Sequence, residues 1–251
     1  MIGHRSRVRT TVLLLAAALL FLPSGVSAQG SGEGFLFKQP TVQVGLNGGY
    51  SFAHAGGPVL DFAQSELTLG KRDFDAASFG FALAVRASEH LDIAFDVRYS
   101  GSDAGSQMRD WEDQDGLAIV QTTSFKRVPL AINAKFYLQG QGRAVSQFAW
   151  IPQRLAPFLG AGGGTTWYEF EQKGDFVDFE SLDILSLTLK SSGWTPTAHA
   201  FAGVDVLITP KFLWTLEGRY SFGSADTGAA FAFESIDLSG FQVTMGLSAR
   251  F

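Results

Sequence analysis

Beyond its first 28 residues the chain holds three histidines, His54, His90 and His199, and it has no cysteine anywhere. A serine nucleophile needs a base within hydrogen-bond reach and a third group to orient that base. None of these histidines heads a His-x-Ser pair, because the residues two places on are Gly56, Asp92 and Phe201. His199 is therefore expected to be a satisfied polar residue near Arg219 rather than a catalytic base. The acids Asp110, Glu112, Asp113 and Asp115 in "RDWEDQDG" are the types that attract Ca²⁺ or Mg²⁺. A calcium loop would also need an oxygen ligand at 111 and a Glu at 122, where Trp111 and Thr122 stand, so a solvated acidic loop is expected. "GAGGGT" lacks the third glycine of a dinucleotide fingerprint and the lysine of a phosphate loop, and its glycines point instead to strand curvature or close approach. No catalytic residue, metal or cofactor is expected.

The elements that carry these residues alternate with period 2, the repeat of a strand whose side chains point to opposite faces. Val42 to Phe52, Phe79 to Val85 and Leu91 to Tyr99 form the first three predicted strands. The fourth sets Val128, Leu130, Ile132, Ala134, Phe136 and Leu138 against Arg127, Asn133, Lys135 and Tyr137, with a bulge expected at Pro129. The fifth, "PFLGAGGGTTWYEF", shows no face through its glycines, and Phe158, Tyr168 and Phe170 are assigned outward. The sixth sets Ala198, Ala200, Ala202, Val204, Val206 and Ile208 against His199 and Asp205. The seventh opposes Phe212, Trp214, Leu216, Tyr220 and Phe222 to Glu217 and Arg219, and the eighth runs from Gly240 to Phe251.

Links at 87–90 and 209–211 are short, and those at 54–76, 101–121 and 171–192 are long. That alternation is the pattern of an antiparallel up-and-down transmembrane β-barrel, with short turns on the periplasmic side. The long link 139–155 is the exception. Aromatics near strand ends, Tyr50, Phe52, Tyr99, Trp167, Tyr168, Trp194, Tyr220 and Phe222, suit an interfacial girdle. The apolar segment "EFEQKGDFVDFESLDILSLTLKSS", with Phe176, Phe179, Leu182, Ile184 and Leu187, fits strands five and six continuing as a hairpin, or a patch that binds a partner.

On this phase the inward set is Arg86, Asp92, Asp96, Arg98, Arg127, Lys135, His199, Asp205, Glu217, Arg219 and Arg250. Such residues could line an ion path. A barrel of about eight strands is only wide enough to be filled by side chains, so pairing and plugging is the expected role. Arg86 is expected opposite Asp92 across the "ASEH" turn.

Composition agrees with lipid contact. There are 23 Phe and 29 Gly, and only 17% of residues are charged. Arg5, Arg7 and Arg9, an apolar run from Val12 to Leu22 and "VSA" before Gln29 make residues 1–28 a secretory signal peptide, leaving 29–251 as one barrel domain. Without those arginines the 19 basic residues fall to 16 against 24 acidic ones, a formal charge near −8 that disfavours nucleic acid as a partner.

The stretches "RVPLAINAKFYL", "PFLGAGGG", "HAFAGVDVLITP" and "DLSGFQVTMGLSARF" resemble strands of the small outer-membrane β-barrels that include OmpA-, OmpX- and OmpW-like proteins. The resemblance implies location in the outer membrane of a Gram-negative-type envelope, contact with its lipid and lipopolysaccharide, and a structural or surface-interaction role. A narrow channel for small or hydrophobic solutes and a lipid-modifying enzyme remain as alternatives. It also implies that the terminal Phe251, closing an alternating apolar strand, is read by the barrel assembly machinery. Deleting Phe251 should then lower the amount of heat-modifiable barrel in the outer membrane while export continues; equal amounts with and without it would refute that role.

Overall fold

A computed structural model describes residues 34–113, 115–178 and 183–251. The signal peptide expected at 1–28, together with Phe179 and Leu182, lies outside the described residues. Eight antiparallel strands close into one ring: β1 (Val42–Ala53), β2 (Ala76–Arg86), β3 (Leu91–Glu112), β4 (Ala118–Tyr137), β7 (Leu155–Val177), β8 (Ile184–Thr209), β9 (Phe212–Phe222) and β12 (Gly240–Arg250). Their order around the barrel is β1-β12-β9-β8-β7-β4-β3-β2, so each strand pairs with its successor in the ring and the last with the first. Two small hairpins lie outside the ring: β5 (Gly142–Ser146) with β6 (Ala149–Pro152), and β10 (Ser224–Asp226) with β11 (Ser235–Asp237).

The outer face is apolar because alternate residues must meet something other than water. Leu46, Ile132, Trp194, Trp214 and Leu216 are all exposed, and Ile132 reaches 64%. β9 and β12 have 11 residues each, which at a barrel tilt cross roughly 25 Å, the height of a lipid-facing band. Tyr50, Phe52, Tyr99, Trp194, Tyr220 and Phe222 are exposed at the upper edge of that band. Trp167 is their half-buried cross-strand neighbour, opposite Trp194.

The fifth ring strand, β7, has the opposite phase to the one expected. Phe158, Tyr168 and Phe170 are buried and point inward, while Leu159 faces out. Glycine carries no face, and here the glycines do a different job. A Cβ on Gly160 would sit 2.3 Å from Phe201, and one on Gly162 would sit 2.1 Å from Asn133 and 2.8 Å from His199. The inner face of β7 is hollowed so that side chains of β4 and β8 can fill the space, and Tyr168 accordingly leaves the girdle. Pro129 makes no bulge. It pairs with Thr166 in unbroken register, and on the β3 side the register is the same above and below it. The missing N–H removes rungs beside Val128 and Pro129 without inserting a residue.

The other difference is height. β3, β4, β7 and β8 run 20 to 26 residues, far beyond the 11 or 12 of the other four. Much of the segment expected as loop 101–121 is strand, and 171–177 and 184–192 continue β7 and β8, as expected. The four long strands rise as a sheet whose inner face is covered by the links from β1 to β2 and from β9 to β12. The first link carries a helix, α1 (Pro58–Glu66), which starts at Gly57 with φ 89° and has Pro58 in its first turn. Its Val59, Leu60 and Ala63 join Phe74, Met108, Ile119, Phe125, Phe170 and Ile236 in an apolar core above the barrel. Each large side chain buried there contributes about 1.5–3 kcal/mol.

Arginine at Leu83, Leu130 or Leu216 on the outer face should cost about 2–4 kcal/mol at mid-bilayer. Arginine at Thr215 or Thr244, which line a lumen cavity, meets polar partners instead. Refolding yields in liposomes should fall more for the first series than for the second; the reverse order would reject the facing.

Candidate functional site: the filled lumen and its two ends

The period-2 alternation delivers the polar face of every strand to the barrel axis, where the charges stack in levels. At the lower end Arg86 and Asp92 are cross-strand partners, but they do not touch. Gln141, from the link leading into β5, lies between them: Arg86 donates to Gln141 Oε1, and Gln141 Nε2 donates to Asp92 Oδ2 at 2.6 Å. The β5–β6 hairpin folds under the opening and presents Trp150, whose buried ring lies 5.4 Å from the Arg86 guanidinium and 4.8 Å from that of Arg250. Arg250 also donates to the Pro210 carbonyl at 2.8 Å.

One level up, Asp205 accepts from Lys135 at 2.9 Å, from Tyr137 at 2.7 Å and from Thr215 at 2.7 Å. The Lys135 ammonium lies 3.8 Å from the centre of the Phe158 ring, which the inward phase of β7 places there.

The central level is a neutral quartet. Arg219 meets Asp96 at 2.8 Å and Glu217 at 3.0 Å, and Arg98 meets Glu217 at 2.7 Å. Asn133 donates to Asp96 at 2.6 Å. The Nε2 of His199 lies against Asn133 Oδ1 and 2.9 Å from Arg219 Nη1; it can donate to the first or accept from the second, not both. Ser221 is its cross-strand neighbour, yet the Nε2 of His199 faces Asn133 and Arg219 instead. No nucleophile–base pair is assembled at this histidine. Above the quartet Arg127 donates to Ser51 at 3.1 Å and lies 4.9 Å from the Phe125 ring, where the apolar cap begins.

What remains open beside the quartet is small. Two cavities of about 60 and 40 Å³ flank the quartet, lined by residues such as Asn47, Arg98, Thr244 and Gln242. The Nε and Nη1 of Arg98 have no protein hydrogen-bond partner, and cavities of this size can hold ordered water.

Gln141 and Trp150 are lumen residues from outside the ring strands, which the strand pattern does not predict. Their signal is the one link that is long where its neighbours are short. Of the loop acids, Asp113 has a local structural role, since its Oδ1 accepts from the backbone N–H groups of Asp115 and Leu117 and closes the turn between β3 and β4. At the upper end, His54 Nδ1 lies 2.5 Å from Asp237 Oδ2 and joins the two covering links. Burial disfavours the Asp237 charge, but the Ser239 and His54 hydrogen bonds outweigh it and hold the carboxyl below its ordinary value. On the outer wall above Trp167 and Trp194, Glu169 bonds Lys190 at 2.7 Å and Lys126 at 2.9 Å, which lowers the carboxyl and raises both amines.

The fold and its filled axis define a closed eight-stranded antiparallel β-barrel. Among solved structures the chain is similar to a major outer membrane protein from Thermus thermophilus, with 9% identity over 85% of this chain and 100% of that one and a TM-score of 0.47. It is also similar to Neisserial surface protein A, with 13% identity, 88% and 100% coverage and a TM-score of 0.43. The outer membrane protease OmpT from Escherichia coli aligns at 11% identity, 90% and 100% coverage and a TM-score of 0.37. No family model matches the chain, and no curated protein does. At these identities the likeness is one of strand architecture, and the role of this chain rests on its own residues.

Replacing Glu217 by Gln leaves Arg98 and Arg219 sharing one carboxylate and should cost about 3–5 kcal/mol. The paired change Arg98→Met with Glu217→Leu should recover most of it. Chemical unfolding in detergent, followed by heat-modifiable migration, measures both; equal losses would show that the ion pair is not a unit.

Proposed function

We propose that the chain is an outer-membrane β-barrel with a sealed lumen that serves as a rigid base for its upper structure, a structural or surface-interaction protein rather than a channel or an enzyme. The observation that carries this reading is the occupation of the axis at every level. Trp150 and Gln141 close the lower end, paired charges fill the middle, and the apolar core covers the top. A conducting pore needs a continuous wet path, and the cavities beside the quartet are of water size.

The apolar belt supports insertion in lipid, and the short turns 87–90 and 210–211 support a periplasmic lower end. Export then relies on residues 1–28, assembly on the machinery that reads the strand ending at Phe251, and the upper end faces outward. Glu169, Lys126 and Lys190 lie just above the girdle, at the level of lipopolysaccharide headgroups, and are the contacts proposed for that lipid. The rival enzyme reading would need a base, and the Nε2 of His199 is enclosed between Asn133 and Arg219 inside the lumen.

Refolded protein in planar bilayers should show no steady conductance, and lipid turnover should be the same for wild type and His199→Ala. Reproducible single-channel steps would overturn the sealed lumen, and turnover lost with His199→Ala would overturn the non-enzymatic reading.

A further inference from the structure

Above the quartet the lumen holds a charge with no counter-ion. Asp96 and Glu217 balance Arg98 and Arg219, and Asp205 balances Lys135. Arg127 is only 6% exposed, yet among the described residues it forms no ion pair. Its Nη2 donates to the hydroxyl of Ser51, its guanidinium rests against the Phe125 ring, and its buried Nε has no hydrogen-bond partner in the protein. Asp75 and Asp237 attract it from beyond ion-pair distance, and both carboxylates are engaged elsewhere. Asp75 accepts from the Ala53 N–H at 2.9 Å, and Asp237 holds the Ser239 N–H and His54. A buried cation met by one neutral hydroxyl and a ring face is costly unless something else neutralises it.

The space beside Arg127 is built to match. The cavity of about 40 Å³ is lined by Arg98, Arg127 and Arg219 and, among the described residues, by no carboxylate. Asp96 and Glu217 line the 60 Å³ cavity instead. The hydroxyls of the smaller cavity are placed to donate. Ser51 accepts from Arg127 and keeps its own hydrogen, while Thr166 and Thr197 bond each other at 2.9 Å and so use one of their two hydrogens. Arg98 brings an N–H at Nη1, and Arg127 one at Nε, neither with an acceptor in the protein. A void of this volume holds roughly three waters, and hence a halide ion. Water there would accept from the donors but leave the charge of Arg127 in place. Three guanidinium groups set against Asp96 and Glu217 leave one positive charge, which a single monovalent anion cancels and a doubly charged oxyanion would overshoot.

We propose that this cavity binds one halide ion, chloride under physiological conditions, as a buried counter-ion held between Arg127 and Arg98, with Ser51 and the Thr166–Thr197 pair donating to it. The ion is taken up as the strands close and completes the filling of the lumen between the quartet and the apolar core. Its retention rests on the sealed lumen proposed above, whereas its binding rests on the unbalanced charge and the cavity alone.

Full-length protein is refolded in detergent with sodium bromide as the salt, so that the halide is present when the ring closes, and is then crystallised. Diffraction at the bromine absorption edge should show one anomalous peak within hydrogen-bond reach of Arg127 and Arg98, and none there in Arg127→Met. A cavity filled by water alone would overturn the proposal. In solution, with chloride at about ten times its dissociation constant, the unfolding equilibrium constant of the wild type should be about tenfold smaller than in gluconate at the same ionic strength, because gluconate is too large for the cavity. Arg127→Met has no charge to neutralise there, so its unfolding should be the same in both salts. A wild type indifferent to the anion, or an Arg127→Met protein with the same chloride dependence, would overturn the site. The wild-type arms decide even if Arg127→Met does not refold. Conductance steps from a barrel with the halide bound would reject the seal alone, whereas a non-conducting barrel with only water in the cavity would reject the halide site alone.

Discussion

A backbone surrounded by an apolar solvent must satisfy every N–H and C=O within itself, and strands can do that only by closing on one another. The seam between β1 and β12 is where this chain meets the requirement, in unbroken register from Gln43 opposite Arg250 to Ala53 opposite Gly240. Closure at eight strands then sets the bore, and a bore of that size must be filled. Side chains that reach the axis lose their water, so each charge there needs a partner of opposite sign or a strong acceptor. Asp96, Arg98, Glu217 and Arg219 supply one another, Lys135 and Asp205 form a second unit, and Gln141 joins Arg86 to Asp92.

The same requirement explains the covers. Once β3, β4, β7 and β8 rise past their shorter neighbours, they leave the closed ring and expose an inner face with Phe125, Tyr168 and Phe170. α1, the turn 71–74 that follows it and the β10–β11 hairpin bury that face, with Phe74 meeting Phe125 at 6.3 Å and Phe231 meeting Phe170 at 5.1 Å. The freed edge of β3 is paired as well: Thr68 N–H bonds the Gln107 carbonyl, and the Thr68 hydroxyl accepts from Gln107 N–H. Below the belt the β5–β6 hairpin does the corresponding work with Trp150. The barrel is thus closed by two different chemistries, apolar packing above and cation–aromatic stacking with an amide bridge below.

Where a face meets lipid, its residues must be apolar over the whole crossing, and the period-2 pattern of β2, β4, β9 and β12 is legible for that reason alone. It places Asn133, Lys135, Glu217 and Arg219 inward without knowledge of any neighbour. Above the belt both faces lose that constraint, so "SGSDAGSQ" in β3 shows no alternation, although its residues continue the strand. β7 is the instructive case. Its glycines at 160 and 162 leave the local pattern without a face, and what decides the phase is room for Phe201, Asn133 and His199 from two other strands.

The amino-acid sequence by itself determined the eight crossings, the lipid faces of all but β7 and the identities of the inward charges, because bilayer contact acts on each residue locally. Only the tertiary structure decided who pairs with whom. Arg98 finds Glu217 across 119 residues, and Arg219 finds Asp96 across 123. Those distances vanish when the ring closes, since rotation around the axis brings strands from both halves of the chain to one level. The plug and the cap were settled in the same way, because Trp150 and Leu60 are buried by surfaces that exist only after the strands have joined.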